Sequence, residues 1–414
     1  MLRNYLKIAF KVFLRRKFFT FISLFGISFT LVVLMVAVAL LDHVFAPLPP
    51  EVNQDRTVGI YRASMFGDRT MWSTAAGFRL LDRYARDLPG AERLSIFSRS
   101  QTVYAYPGGN KVRLELKRTD GEFWKILRFD FIEGGPYSQQ DVNEARFVAV
   151  ITRTTRQRVF RERPALGQTF EADGQRFRVV GVVSDIPWLR NLPFAEMWVP
   201  ITTAKSDSYK TELLGPFNAL VLARDRAAIP AIQEEFRARL ARVELPDPKR
   251  FKKLTAPLET VFEAMARNRF SSLREESSHT ERLWAAMVGA ALLFMLLPTV
   301  NLINLNVSRI MERASEIGVR KAFGASARTL VGQFVVENVV LTLLGGAVGF
   351  LVSFFALRAI TASGVIPYAN LTLNIRIFLY GVLLALFFGV FSGVYPAWRM
   401  SRLNPVQALK GAAR

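Results

Sequence analysis

The groups in this chain best placed to hold or move charge fall in three places. Asn301 and Asn304 share one face of an apolar stretch below Pro298, Glu337 stands at the start of another apolar stretch, and a compact charged run reads Glu316-Ile317-Gly318-Val319-Arg320-Lys321-Ala322-Phe323-Gly324-Ala325. A polar group within a bilayer is costly, so it marks either function or a hydrogen bond between helices. Interhelical bonding is the expected role of the two asparagines. Glu337 follows Arg328 by nine residues, which puts it near the interface with a structural hydrogen bond as its expected role.

Other chemistry is excluded by residue type. With no cysteine there is no disulfide framework, thiolate-held zinc, iron-sulfur cluster or thiol nucleophile, and His43 and His279 alone cannot make an imidazole-rich metal site. No G-x-x-x-x-G-K-[ST], H-E-x-x-H or G-x-S-x-G occurs, so these residues offer no phosphate loop, zinc-protease helix or nucleophile elbow. The pairs Glu234-Glu235 and Glu275-Glu276 lie in polar, helix-like stretches and read as solvated faces. A membrane enzyme is therefore poorly supported.

The elements around these groups are set by apolar length. Phe18 to Leu41, Leu283 to Ser308, Asn338 to Leu357 and Ile377 to Trp398 are uncharged runs of 24, 26, 20 and 22 residues, each enough to cross a hydrocarbon core of about 30 Å as a helix. The charges sort around them. Three short segments, residues 1–17, 309–328 and 399–414, carry +13 of the net +21, and by the positive-inside bias they are cytoplasmic. Residues 42–282 hold 38 basic and 31 acidic residues, too balanced for a nucleic-acid surface. The expected layout is an α-helical membrane protein with a large extracytoplasmic α+β domain inserted between the first two of four transmembrane helices. Its parts are a cytoplasmic amphipathic helix (1–17), spans at 18–41, 283–308, 329–357 and 377–398, a cytoplasmic segment at 309–328, a short external loop at 358–376 and a cytoplasmic tail at 399–414.

In the first segment Leu2, Tyr5, Leu6, Ala9, Phe10, Phe13 and Leu14 share a face opposite Arg3, Lys7, Lys11 and Arg15, the pattern of a helix lying in the inner interface. In the inserted domain, strands are expected at Arg56 to Ala63, Gln101 to Tyr106, Lys111 to Lys117 and Arg146 to Ile151. Helices are expected at Gly77 to Leu88, Arg153 to Phe160 and Pro230 to Val243, and a hairpin turns at Asp173-Gly174. Leu258 to Arg282 contains few breakers and reads as one long helix running into the second span. Small residues recur every four positions, Gly345, Gly349 and Ser353 in the third span and Gly381, Ala385, Gly389 and Gly393 in the fourth. Such rows let helices approach closely, pairing these two spans or meeting a partner subunit.

The charged run from Glu316 to Ala325 closely resembles the cytoplasmic coupling segment of the MacB/FtsX-type ABC transporter permeases, E-[IV]-G-[IV]-R-[KR]-A-[LFM]-G-A. The C-terminal stretch Gly393 to Lys410, Ala9 to Phe29, and the pieces Asp120-Gly-Glu-Phe-Trp, Glu133-Gly-Gly, Phe147-Val-Ala-Val-Ile and Gly181-Val-Val-Ser-Asp185 are similar to the family's end, first span and periplasmic core domain. The resemblance implies a permease of a bacterial inner membrane with both termini cytoplasmic and the large domain periplasmic. It implies as partners a dimer of separate ABC ATPase subunits, which would hold the ATP and magnesium, and a second permease copy or a related permease, with a periplasmic adaptor and outer-membrane channel as further candidates. Glu316 to Ala325 would dock the ATPase. Two outcomes stay open at this stage: export of a peptide, antibiotic-like amphiphile or lipoprotein, and mechanotransmission to a cell-wall hydrolase or a ligand sensor.

Overall fold

The computed structural model describes residues 2–271, 277–293, 319, 323, 326–368 and 371–401. The chain forms two compact units, Met1–Asp42 with Ala285–Val365 and Asn370–Arg414, and His43–Trp284 with Ile366–Ala369.

The helical unit begins with α1 (Leu2–Arg15) and α2 (Lys17–Phe45). At 29 residues, α2 is about 44 Å long, and it stops before Pro47, Pro49 and Pro50, which cannot continue a helix. Ala9 and Phe13 of α1 are buried in a cluster with Ile27, Leu31 and Met35 of α2, while Phe10 and Leu14 are exposed. Two further helices, α10 (Ala327–Ser363) and α11 (Ile375–Ser401), belong to it. Among the described residues, two helices are long and apolar enough to cross a membrane, Lys17–Phe45 and Val331–Ser363, and Ile375–Val390 is a shorter apolar helix. The expected second span lies largely outside the described residues, of which 280–293 are helical (α9).

The inserted unit starts from one strand that is apolar except for Asn218. β13 (Phe217–Ala223) is buried along its whole length, as a strand covered on both faces must be. It pairs antiparallel with β4 (Ala91–Ser98) and β1 (Thr57–Ile60), and β1 pairs in turn with β15 (Leu258–Glu259). With α3 (Phe78–Tyr84) between β1 and β4, and α7 (Ile229–Leu240) between β13 and β15, this is a β-α-β-β-α-β unit with strand order β4-β13-β1-β15. The hairpin of β2 (Ala63–Phe66) and β3 (Met71–Ala76) extends it, with β14 (Lys253–Thr255) on its edge.

A second module is threaded between β4 and β13. β5 (Gln101–Ala105), β6 (Val112–Thr119), β11 (Met197–Pro200), β8 (Val148–Thr152), β10 (Gln175–Val183) and β9 (Thr169–Ala172) pair in that order, and β9 returns to β5. The ring closes into a six-stranded barrel filled by Leu114, Leu116, Ile151, Phe177, Val179 and Met197. Asp173 and Gly174 turn the β9–β10 hairpin with φ of 56° and 70°, the conformation that a two-residue loop between twisted strands requires. Helix α6 (Arg153–Phe160) starts where expected because the Thr152 side chain accepts from the Thr155 amide.

Two expectations change. Arg56 to Ala63 is a strand only over Thr57–Ile60, and the next strand begins at Ala63. Leu258 to Arg282 is not one helix: Leu258–Glu259 is strand, α8 (Val261–Phe270) follows a Thr260–Glu263 capping box, and Ser271 is extended at ψ 145°. Glu259 is needed beside β1, and the Thr260 hydroxyl accepts from the Glu263 amide in the first turn of α8, so the chain starts its helix there.

Candidate functional site

Of the charged run Glu316 to Ala325, Val319 and Phe323 are described, and the other eight residues lie outside the described set. The Phe323 amide donates to the Val319 carbonyl at 3.1 Å, one helical turn. Both apolar side chains stand out from it, Val319 45% and Phe323 88% exposed. Three residues on, Ser326 caps α10 by accepting from the Thr329 amide at 3.2 Å. A basic segment thus presents two apolar side chains one turn apart, an arrangement suited to a hydrophobic socket on another protein.

Glu337 is 1% exposed, held in α10 among Gln333, Phe334, Asn338 and Thr342, all buried. Gln333 Nε2 donates to its carboxylate at 2.9 Å. Asn301 and Asn304 lie outside the described residues. The row on α10 faces the first span: a Cβ added at Gly345 would stand 2.8 Å from Ile27, and one at Gly349 3.2 Å from Leu31. Ser353 is fully buried. On α11, Gly381 faces Leu34 and Leu31 of α2, Gly389 approaches the Thr342 hydroxyl of α10, and Ala385 is half-buried. Gly393 lies within α11. The start of α11 is pinned to the end of α2, because Asn374, whose side-chain oxygen accepts from the Ile377 amide at the head of α11, donates to Asp42 of α2 at 2.7 Å.

In the inserted unit, the segment leaving the first span is clamped by Arg190. Its guanidinium donates to the carbonyls of Ala46 and Leu48 and to the Glu51 carboxylate at 3.0–3.1 Å, and both charged side chains are buried. Beneath this clamp Lys117 is 1% exposed. Its ammonium donates to the carbonyls of Asn191 and Leu192 and lies 5.4 Å from the Phe97 ring centre. Burial pulls its pKa down to about 7, against the attraction of Glu51. Asp120 joins the two modules: it accepts from the Ser95 hydroxyl (2.7 Å), the Ile96 amide (2.8 Å) and the Phe123 amide (3.0 Å), tying β4 to the start of α4 (Phe123–Ile126).

Tyr368, in the loop between α10 and α11, belongs to this unit. Its hydroxyl donates to Glu196 at 3.1 Å, a carboxylate that also accepts from Arg158 at 3.0 Å and from the Glu115 amide at 3.0 Å. The Pro367 carbonyl accepts from the Trp188 amide at 3.3 Å. Tyr368 has a φ of 59°, a left-handed conformation that costs a non-glycine residue about 1–2 kcal/mol. Neither the Arg190 clamp nor the Tyr368 contact was legible in the sequence. Their partners lie 139 and 172 positions away, and no local pattern records such a pairing. No group of three or more His, Asp or Glu suited to a metal occurs among the described residues.

Residues 20–239 match the MacB-like periplasmic core domain, and residues 288–405 match the FtsX-like permease C-terminal domain. Among similar proteins are two from Bacillus subtilis. The uncharacterized ABC transporter permease YvrN is 24% identical over 78% of this chain and 76% of its own length, and YknZ is 25% identical over 67% and 65%. The macrolide export ATP-binding/permease protein MacB 2 of Aeromonas hydrophila is 23% identical over 98% of this chain. The chain spans 60% of that longer protein and 42% of the pyoverdine export ATP-binding/permease protein PvdT of Pseudomonas syringae.

Proposed function

Because this chain belongs to the MacB/FtsX-type ABC transporter permeases, we propose that it is a permease subunit that turns ATP hydrolysis on a partner ATPase dimer into movement of its periplasmic domain. The observation that carries this reading is the pairing of the two family regions, residues 20–239 and 288–405. ATP and magnesium would then be bound by the partner. The segment Glu316 to Ala325 is the docking element, and Val319 and Phe323, exposed one turn apart, are the side chains that seat in the ATPase.

The cargo proposed is a peptide, antibiotic-like amphiphile or lipoprotein, expelled on the periplasmic side by two permease copies, or by this chain with a related permease, together with an adaptor and an outer-membrane channel. The names of two relatives, exporters of macrolides and pyoverdine, support export over pure mechanotransmission. The test is co-purification of full-length chain with its ATPase from the native membrane, followed by ATP hydrolysis in reconstituted vesicles. Wild type is expected to retain the ATPase, whereas Phe323→Asp and Gly318→Trp lose it. Absence of any ATPase from the wild-type complex overturns the reading, and a retained ATPase with no cargo movement but an activated cell-wall hydrolase replaces export with mechanotransmission.

A further inference from the structure

The inserted unit contains a cavity of about 560 Å³, remote in sequence from the coupling segment, bounded by the second half of α7, the strand segment from Lys252 to Glu259 and the first turns of α8. Its size is that of a small-molecule site. Its lining is divided. Phe236, Leu240, Val243 and Leu245 give it an apolar wall, while Arg62, Arg237, Lys252, Lys253 and Arg267 bring five cations against the carboxylates of Glu259 and Glu263.

These cations are not equivalent. Arg267 is committed to Glu259 at 2.8 Å, both side chains being under 10% exposed, and Arg237 is paired with Glu234 on its own helix. Arg62, in the connection between β1 and β2, is half-buried and makes no hydrogen bond or ion pair with any other described residue. Burial lowers its pKa more strongly than the nearby Glu259 raises it. Lys252, likewise without a described side-chain partner, stands exposed on the cavity's rim. A guanidinium partly withdrawn from water without an acceptor is unfavourable, and an anion delivered by a ligand would supply that acceptor through charge-assisted bonds. Glu263 does not do so: its carboxylate accepts from the Thr260 amide in the capping box and makes no ion pair with Arg62.

We propose that this cavity binds an anionic single-chain amphiphile, its phosphate or carboxylate head on Arg62 and Lys252 and its hydrocarbon on the Phe236–Leu240–Val243–Leu245 wall. The site requires both parts. A bare anion leaves the apolar wall wet, and an uncharged chain leaves Arg62 without an acceptor. It does not depend on the proposed coupling to an ATPase, since it is built within one unit of the chain.

The test uses full-length chain in lipid nanodiscs and calorimetric titration with octyl phosphate, with inorganic phosphate and octanol as separate arms and empty nanodiscs as the blank. Saturable binding of one octyl phosphate per chain is expected, weakened about tenfold or more by Arg62→Glu, as loss of a charge-assisted bond implies. Arg62→Lys is expected to keep most of the affinity, and Arg226→Glu, on the exposed surface away from the cavity, to leave it unchanged. Melting curves of each variant matching wild type separate lost binding from lost folding. Equal binding by Arg62→Glu, by octanol or by empty nanodiscs overturns the proposal, and phosphate binding as tightly as octyl phosphate replaces the amphiphile with a simple anion.

Discussion

Single buried groups hold the inserted unit together. Asp120 receives three donors from two elements, so Asp120→Ala strands all three. At about 1–3 kcal/mol for each unsatisfied group, less any water that enters, a loss of several kcal/mol is expected. Urea unfolding of the full chain, followed by tryptophan fluorescence, measures it. Lys117 makes the stability depend on pH. An unfolded lysine keeps its proton to its ordinary pKa of 10.5, whereas the folded one releases it above about 7. Between those values the unfolded state holds more protons, so stability rises with pH by up to about 1.4 kcal/mol per unit, and below pH 7 the burial cost stays at its full value. The expected signature is a midpoint that climbs from pH 7 to 10 in wild type and climbs less in Lys117→Met. Neither role was legible locally. Asp120 appeared only within a family-like stretch, and Lys117 only as the last residue of an expected strand.

At the scale of elements, the row of small residues on α10 was visible as a spacing, but its partner was not. Gly345 and Gly349 meet Ile27, Leu31 and the Ser28 backbone of α2, while α10 and α11 approach through Thr342 and Gly389. Gly349→Leu therefore forces α2 away, and loss of close packing between α2 and α10 is expected, read as a lower melting temperature in detergent. Gly364→Ala, beyond the end of α10 and in open space at φ 65°, costs only about 1 kcal/mol of backbone strain. The clamp on the first span's exit is also an element-level device. Arg190→Ala leaves Glu51 buried and unpaired, and about 3–5 kcal/mol is the expected loss, with faster proteolysis between residues 46 and 51 as its local readout. Helix α6 and the β9–β10 hairpin were legible because a cap residue and a two-residue turn act over three or four positions. The strand at Leu258–Glu259 was not, since it follows from the pairing of Glu259 with β1.

Across the whole molecule the charge is a topology signal. The three short basic segments carry +13 of the +21, and the residues between the first two spans are nearly balanced. This sets an experiment that the chain favours, because it has no cysteine of its own. With single cysteines introduced, Ser100→Cys in the inserted domain is expected to react with an impermeant maleimide on intact spheroplasts, and Ser326→Cys only after permeabilisation. The opposite pattern would reverse the orientation.

By itself the sequence determined that the chain is a membrane protein with a large inserted α+β domain and a family-like coupling segment. Apolar length, charge asymmetry and contiguous motifs are local properties that survive without a fold. Tertiary structure decided the rest. The barrel interrupts a β-α-β-β-α-β unit between β4 and β13, so strands adjacent in space come from opposite ends of the domain. The Arg190 clamp, the Tyr368–Glu196 bond and the cavity at Arg62 all join residues far apart in the chain. Each exists only after the loops between its partners have closed, and pairings of that kind leave no period or spacing in the sequence.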